Sequence, residues 1–389
     1  MKPARIILLC VLLAIVMVII ALYVPTTLDA ATDFMAIYNT DLALVNHIPI
    51  YDTPRVLEFA GQKFGVAPEK LSETVFPYPP WYALSTFFLG LFPLKAAATL
   101  WFELNLVMLF LSVWLLTDGW PGRARLAAFP LSLIFIPVLG TLSIGQRDFP
   151  VLLGTAMLIY SLRKQKVALT VLGVALLTFK PHIGALILLA TLIWLIGQRS
   201  QFGRRAMVGL VIAGAFLFAV GFLADPGWLV GYPRLLLHYD DQSFIAGCTD
   251  CENLPVWISR WLFDGSLASA AWIALGLLIL LIIMLYLIRS SLKQPELLLS
   301  AATLVTMVAS PYLYNYDFLL LLVPFAVLFH KNDQLPRAVE LLCYLLPTLA
   351  IIIFGRGGNI SLTLVTIVLV ALLFIRIRRS LSTGLPAAA

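Results

Sequence analysis

Apolar runs recur along this chain from residue 6 to residue 375, punctuated by short polar connections. A helix that crosses a bilayer needs roughly 20 predominantly apolar residues. On that footing the runs near 6–23, 96–117, 126–143, 148–162, 166–180, 183–197 and 206–223 read as spans. Further runs lie near 267–288, 297–309, 317–330, 338–354 and 359–375, for about 12 helices with both termini on the same side. The segment Trp81–Phe92 is about 12 residues long, short of a crossing, and reads as a juxtamembrane or re-entrant helix. Counting it gives about 13 spans and throws the earlier connections out of register with the later ones. The runs ending before Lys180 and Ser310 are also short, a pattern expected where a hydrated cavity enters a bundle.

Charge orients the pattern. Basic residues cluster in alternate connections: Lys2 and Arg5; Arg123 and Arg125; Arg163, Lys164 and Lys166; Arg199, Arg204 and Arg205; Arg289 and Lys293; Lys331 and Arg337; Arg376, Arg378 and Arg379. These hold 17 of the 26 Lys and Arg but four acids (Asp118, Glu296, Asp333, Glu340), leaving 16 of the 20 acids elsewhere. The positive-inside rule places such connections, and both termini, in the cytoplasm. Residues 24–80 and 224–264 then become the two large extracytoplasmic loops of a single polytopic domain, 1–389, in the cell (inner or plasma) membrane. Met1–Tyr23 has the basic start of a signal peptide but is long enough to span, and no clear small-x-small cleavage site follows, so it reads as the first helix.

Composition agrees: 61% of residues are hydrophobic, 12% are charged, and the mean hydropathy is +0.98. No stretch is long enough for a separate soluble domain. The net charge of +6 is accounted for by topology, so nucleic acid is not an expected partner. No GxGxxG, P-loop, HExxH or serine-elbow pattern lies on the cytoplasmic side, which argues against a cytosolic nucleotide-sugar enzyme or an ATP-driven pump. Cys10 and Cys343 fall in apolar runs as packing residues. Cys248 and Cys251 form a CxxC in an outer loop, where a disulfide can persist; zinc, with His238 and Asp240 or Asp241, is a weaker reading.

The candidate chemistry gathers outside. Asp33 follows the first run, with Tyr38, Asp41 and Tyr51-Asp52 downstream; an acid beside a cavity could take a proton from a hydroxyl, or could simply cap a helix over 34–46. Phe76-Pro77-Tyr78-Pro79-Pro80-Trp81 is a stiff aromatic approach to the next helix. Gly145-Gln146-Arg147-Asp148 joins two runs, where an Arg147–Asp148 ion pair would be the purely structural explanation. Lys180-Pro181-His182 puts a cation at an outer helix end against the charge trend, where it could meet a phosphate or snorkel to water. Ser310-Pro311-Tyr312-Leu313-Tyr314-Asn315-Tyr316-Asp317 breaks two further runs, with Asp317 placed to cap. Loop 224–264 adds Tyr232, Arg234, His238, Tyr239, Asp240 and Asp241.

Taken in order, these motifs resemble glycosyltransferase family 87. The resemblance is carried by Asp33, the His47-Ile48-Pro49-Ile50-Tyr51 element, Phe76 with Tyr78-Pro79-Pro80, the Gly145-Gln146 turn, Lys180-Pro181 and the Ser310-Pro311 break, over about residues 30–320. It implies a GT-C type all-α membrane bundle and sugar transfer, outside the cytoplasm, from a polyprenyl-phosphate sugar to a glycolipid or glycan hydroxyl. Asp33 would be the general base of an inverting reaction. Lys180 and Arg147 would bind the donor phosphate, and Gln146, Tyr38, Tyr78, Tyr312, Asn315 and Tyr316 would position donor or acceptor sugars. The mycobacterial mannosyltransferases of the family carry paired histidines after the Ser-Pro break. This chain has Asn315-Tyr316-Asp317 there, which leaves the hexose open, mannose included. No strongly acidic metal cluster is evident, so no metal or other cofactor is expected. The rival readings are a transporter or flippase of lipid-linked sugars, which inverted repeats would favour, and a non-catalytic assembly factor.

Overall fold

The computed structural model describes residues 33–71, 75–237, 253–287, 294–310, 312–329 and 337–382, and among these every regular element is helical. The expected first span at 6–23, both cysteines of the CxxC, His238 and Asp240 and Asp241 lie outside the described residues. In chain order, α1 (Asp33–Val45) and α2 (Thr53–Phe64) precede α3 (Pro80–Thr86), which runs into a 3-10 turn, Phe87–Leu91. Next come α4 (Leu94–Leu116), α5 (Gly122–Leu133), α6 (Ile136–Ile144), α7 (Asp148–Lys164), α8 (Val167–Leu177), α9 (Pro181–Gly197) and α10 (Gln201–Ala224). The remainder comprises α11 (Trp228–Leu237), α12 (Leu254–Leu262), α13 (Leu267–Leu287), α14 (Pro295–Ala309), a 3-10 segment Asn315–Leu321, α15 (Leu322–Phe329), α16 (Arg337–Phe354) and α17 (Ile360–Ser382).

Among the described residues three helices, α4, α10 and Gly357–Ile377 at the end of the chain, are long and apolar enough to cross a membrane. The pair α5 and α6 would make a fourth if its 57° bend lies within one span. Among the described residues, shorter apolar helices account for most of the other runs, including α8, α9 and α14. Large apolar side chains stand exposed along α10 at Val208, Val211, Ile212, Phe216 and Leu223, as expected of a surface solvated by lipid rather than water. The segment 81–92 is a short helix followed by a 3-10 turn, folded against α1.

Two devices position the site. The first is a close crossing of α7 and α8. A Cβ on Gly154 would sit 2.7 Å from the Gly173 carbonyl oxygen, and one on Gly173 would sit 2.9 Å from that of Gly154. Small residues let the two backbones touch, the usual means of helix association in lipid. With Gly154 opposite Gly173 in an antiparallel hairpin, position 148 falls level with the residues just past α8, where Lys180 lies. The second is the α5–α6 break. The chain takes extended geometry at Phe135, and the Thr348 hydroxyl bridges the interruption: it accepts from the Ile136 amide at 3.1 Å and donates to the Ile134 carbonyl at 3.1 Å. Tyr344 donates to the Leu131 carbonyl at 2.8 Å. In a bilayer such freed backbone groups need internal partners, and α16 supplies them.

Candidate active site

At the opposite ends of the bundle the polar residues differ in kind. Asp118 and Lys164 pair at 3.4 Å beyond α4 and at the end of α7, among the basic connections. At the other end the starts of α1 and α7, the α8–α9 junction and the 310–317 break converge. Lys180 donates from Nζ to Asp148 Oδ1 and to Asp317 Oδ1, each at 2.5 Å, and all three side chains are buried. The Asp317 Oδ2 accepts from the Tyr314 amide at 2.8 Å, so the same carboxylate caps the 3-10 segment and holds the lysine. Lys180 Nζ also lies 5.1 Å from the centre of the Tyr316 ring.

Arg147 forms the other half of the floor. It is 1% exposed, its Nη2 donates to the Asp33 carbonyl at 2.7 Å, and its guanidinium carbon lies 4.3 Å from the Tyr78 ring centre and 5.7 Å from that of Phe76. Burial works against its charge, while Tyr78 and Asp33 favour it, and the balance holds the group above the ordinary arginine value. Its Nε has no protein partner although it is buried. A buried donor without an acceptor costs about 1–3 kcal/mol, and an anion oxygen would satisfy it.

The turn that carries Arg147 requires glycine. Gly145 has φ +68°, and a Cβ there would lie 2.6 Å from the Phe34 Cβ. Its carbonyl accepts from Trp101 Nε1 at 2.8 Å, and Gln146 Oε1 folds back to accept from the Arg147 amide at 2.8 Å. The contact with Phe34 seats the start of α1, and hence Asp33, on the turn. From the other side the 3-10 turn presses so closely that a Cβ on Gly90 would lie 2.5 Å from the Asp41 carbonyl oxygen. Asp41 itself is fully buried and accepts from Thr86 Oγ1 at 3.0 Å; burial raises its carboxyl well above the usual range, against smaller opposing effects of Thr86 and Arg147.

The expected site residues therefore separate into two layers. Asp33, Tyr312, Asn315 and Tyr316 are partly exposed, above a buried floor of Arg147, Lys180, Gln146 and Tyr78. Tyr38 belongs to neither layer: it is 2% exposed and its hydroxyl donates to the Phe92 carbonyl at 2.7 Å, which pins α1 to the 3-10 turn. The ion pair entertained between Arg147 and Asp148 is replaced by Asp148 with Lys180. Lys180, which the resemblance assigns to the donor phosphate, has two carboxylates as its protein partners. Sequence reasoning read Asp148 as a partner of Arg147 and Asp317 as a cap, and missed that both hold Lys180. A costly lysine at a membrane-edge helix end needs acids, and these two open helical segments at that same end.

The fold and this buried charged cluster define an integral membrane protein whose polar residues gather at one end of a helical bundle. The chain belongs to glycosyltransferase family 87, whose family model matches residues 76–311, more than half its length. The matched stretch contains Phe76, Tyr78, Gly145–Asp148 and Lys180; Asp33 and Tyr312–Asp317 flank it. Neither curated proteins nor solved structures gave a match.

Proposed function

We propose that the chain transfers a hexose from a polyprenyl-phosphate sugar to a hydroxyl of a glycolipid or glycan on the extracytoplasmic face of the cell membrane, through a GT-C type bundle of about 12 spans. The observation that carries this reading is the hydrogen bond from Arg147 Nη2 to the Asp33 backbone carbonyl, which holds the start of α1 beside Arg147 at the end of the bundle away from the basic connections. Asp33 acts as general base: it takes the proton of the acceptor hydroxyl as that oxygen attacks the anomeric carbon in line, inverting it, while the lipid phosphate leaves with the bonding electron pair. Arg147 meets the phosphate as negative charge develops, using the Nε hydrogen that has no protein acceptor. Lys180 serves as a positioning residue, drawing Asp148 and Asp317 together beneath Tyr316. Asn315, Tyr312 and Tyr316 line the accessible side, where amide and phenol groups suit sugar hydroxyls.

The reading is tested with purified protein in lipid, supplied with radiolabelled polyprenyl-phosphate hexoses. The parent should move label to acceptor, and Arg147→Gln should lower the rate by about 10²–10³-fold, the usual loss for one charge-stabilising donor. Undiminished transfer by Arg147→Gln would remove the phosphate-binding assignment. Movement of intact lipid-linked sugar across the bilayer without cleavage would instead favour a flippase.

A further inference from the structure

A polar groove lies on the far side of Tyr78 from Arg147. The turn 49–54 at the start of α2 faces Asp225 and the first turns of α11 across a groove of about 500 Å³, within the range of small-molecule sites. Its walls are locked together through Tyr51. The Tyr51 amide donates to Asp225 Oδ2 at 3.4 Å, its ring packs 5.4 Å from that of Tyr232, and a Cβ on Gly231 would stand 2.9 Å from the Tyr51 Cβ. The Tyr51 hydroxyl then donates to the Tyr78 carbonyl at 2.8 Å, and the Tyr78 ring is the one that lies against Arg147. One residue therefore separates the groove floor from the guanidinium of Arg147.

The lining decides what the groove can hold. Asp52 and Arg234 are exposed on opposite walls, with Thr53 and Asp225 between them and Pro49, Pro54 and Val230 supplying apolar surface. Two carboxylates disfavour a phosphate or another simple anion. A bare cation is disfavoured as well, because both Asp225 oxygens already accept backbone amides and Arg234 stands on the rim. Hydroxyl groups accept from a guanidinium and donate to a carboxylate, and sugar C–H faces lie on apolar surface. A polyhydroxylated ligand uses all three at once.

Resting on the transferase reading, we infer that this groove holds the glycan of the acceptor, with the Tyr51–Tyr78 pair standing between it and the guanidinium of Arg147. Neutral short glycans are the class expected to bind.

The test is calorimetric binding of methyl glycosides of glucose, galactose and mannose disaccharides to the full chain in nanodiscs. The parent should bind at least one of them, and the double variant Asp52→Asn with Arg234→Gln should weaken that binding at least tenfold. Both positions are exposed, and retention of the parent's unfolding temperature checks that the fold is kept. Absence of binding to every disaccharide, or binding that the double variant leaves unchanged, would overturn the inference. Donor cleavage measured on the same samples reports on the transferase reading separately: glycan binding that depends on Arg234 without cleavage would sink that reading and keep the groove as a glycan site.

Discussion

Three buried acids at this end of the molecule show how differently one residue type can be used. Asp148 and Asp317 remain tied to a lysine cation, so the three form one unit. Removing the cation leaves two carboxylates in a site sealed from water. Lys180→Met should therefore destabilise the protein by about 3–5 kcal/mol, the range for breaking a buried pair, and neutralising Asp148 and Asp317 alongside should recover part of that loss. Thermal unfolding followed by tryptophan fluorescence reads both. Asp41 has Thr86 as its side-chain donor, and its carboxyl is held well above the usual range by burial. Since the folded value exceeds the unfolded value of about 3.9, the stability that Asp41 contributes is full below about pH 4 and is lost as pH rises towards the folded value. Asp41→Asn removes that loss and keeps an acceptor for Thr86. Its stability relative to the parent should thus rise between pH 4 and 7, and a flat difference would contradict the assignment. Neither role could be read from the sequence, where Asp41 is an acid in a polar loop and Asp317 a helix cap. The cap is real, but its second oxygen has a partner from another helix.

At the scale of elements the sequence was more informative, because lipid enforces the pattern. The apolar runs at 96–117, 148–162, 183–197 and 206–223 correspond closely to α4, α7, α9 and α10, since a helix in a bilayer must satisfy its own backbone. The run at 126–143 is where the reading was too simple: a continuous apolar stretch folds as two helices with a 57° bend. Proline at position 137 opens α6, but the groups that make the break tolerable come from α16, more than two hundred residues on, and no local pattern announces them. Thr348→Val keeps the shape and leaves the Ile136 amide and Ile134 carbonyl without that hydroxyl. A loss of about 1–3 kcal/mol is expected, together with slower transfer, because α6 carries Gly145 and through it Arg147. A drop in unfolding temperature with no change in rate would show that the break does not transmit to the site.

For the molecule as a whole, distribution matters more than any one contact. Ion pairing of Lys164 with Asp118 marks one end, while Asp33, Arg147, Asp148, Lys180 and Asp317 gather at the other. The gathering was legible as an excess of acids outside the basic connections; the pairing within it was not, because it depends on the Gly154–Gly173 crossing and on the seat that Gly145 makes for Phe34. The family match begins at residue 76, so it supports the glycosyltransferase class without reaching Asp33. The role of Asp33 is accordingly where the account is most exposed. The direct measurement is single-turnover transfer from a radiolabelled polyprenyl-phosphate hexose by the parent and by Asp33→Asn, in lipid, with donor binding followed in parallel. The account predicts that the variant binds donor as the parent does and transfers about 10²–10⁴-fold more slowly, the span of a lost general base. Transfer by Asp33→Asn at the parent rate would contradict it.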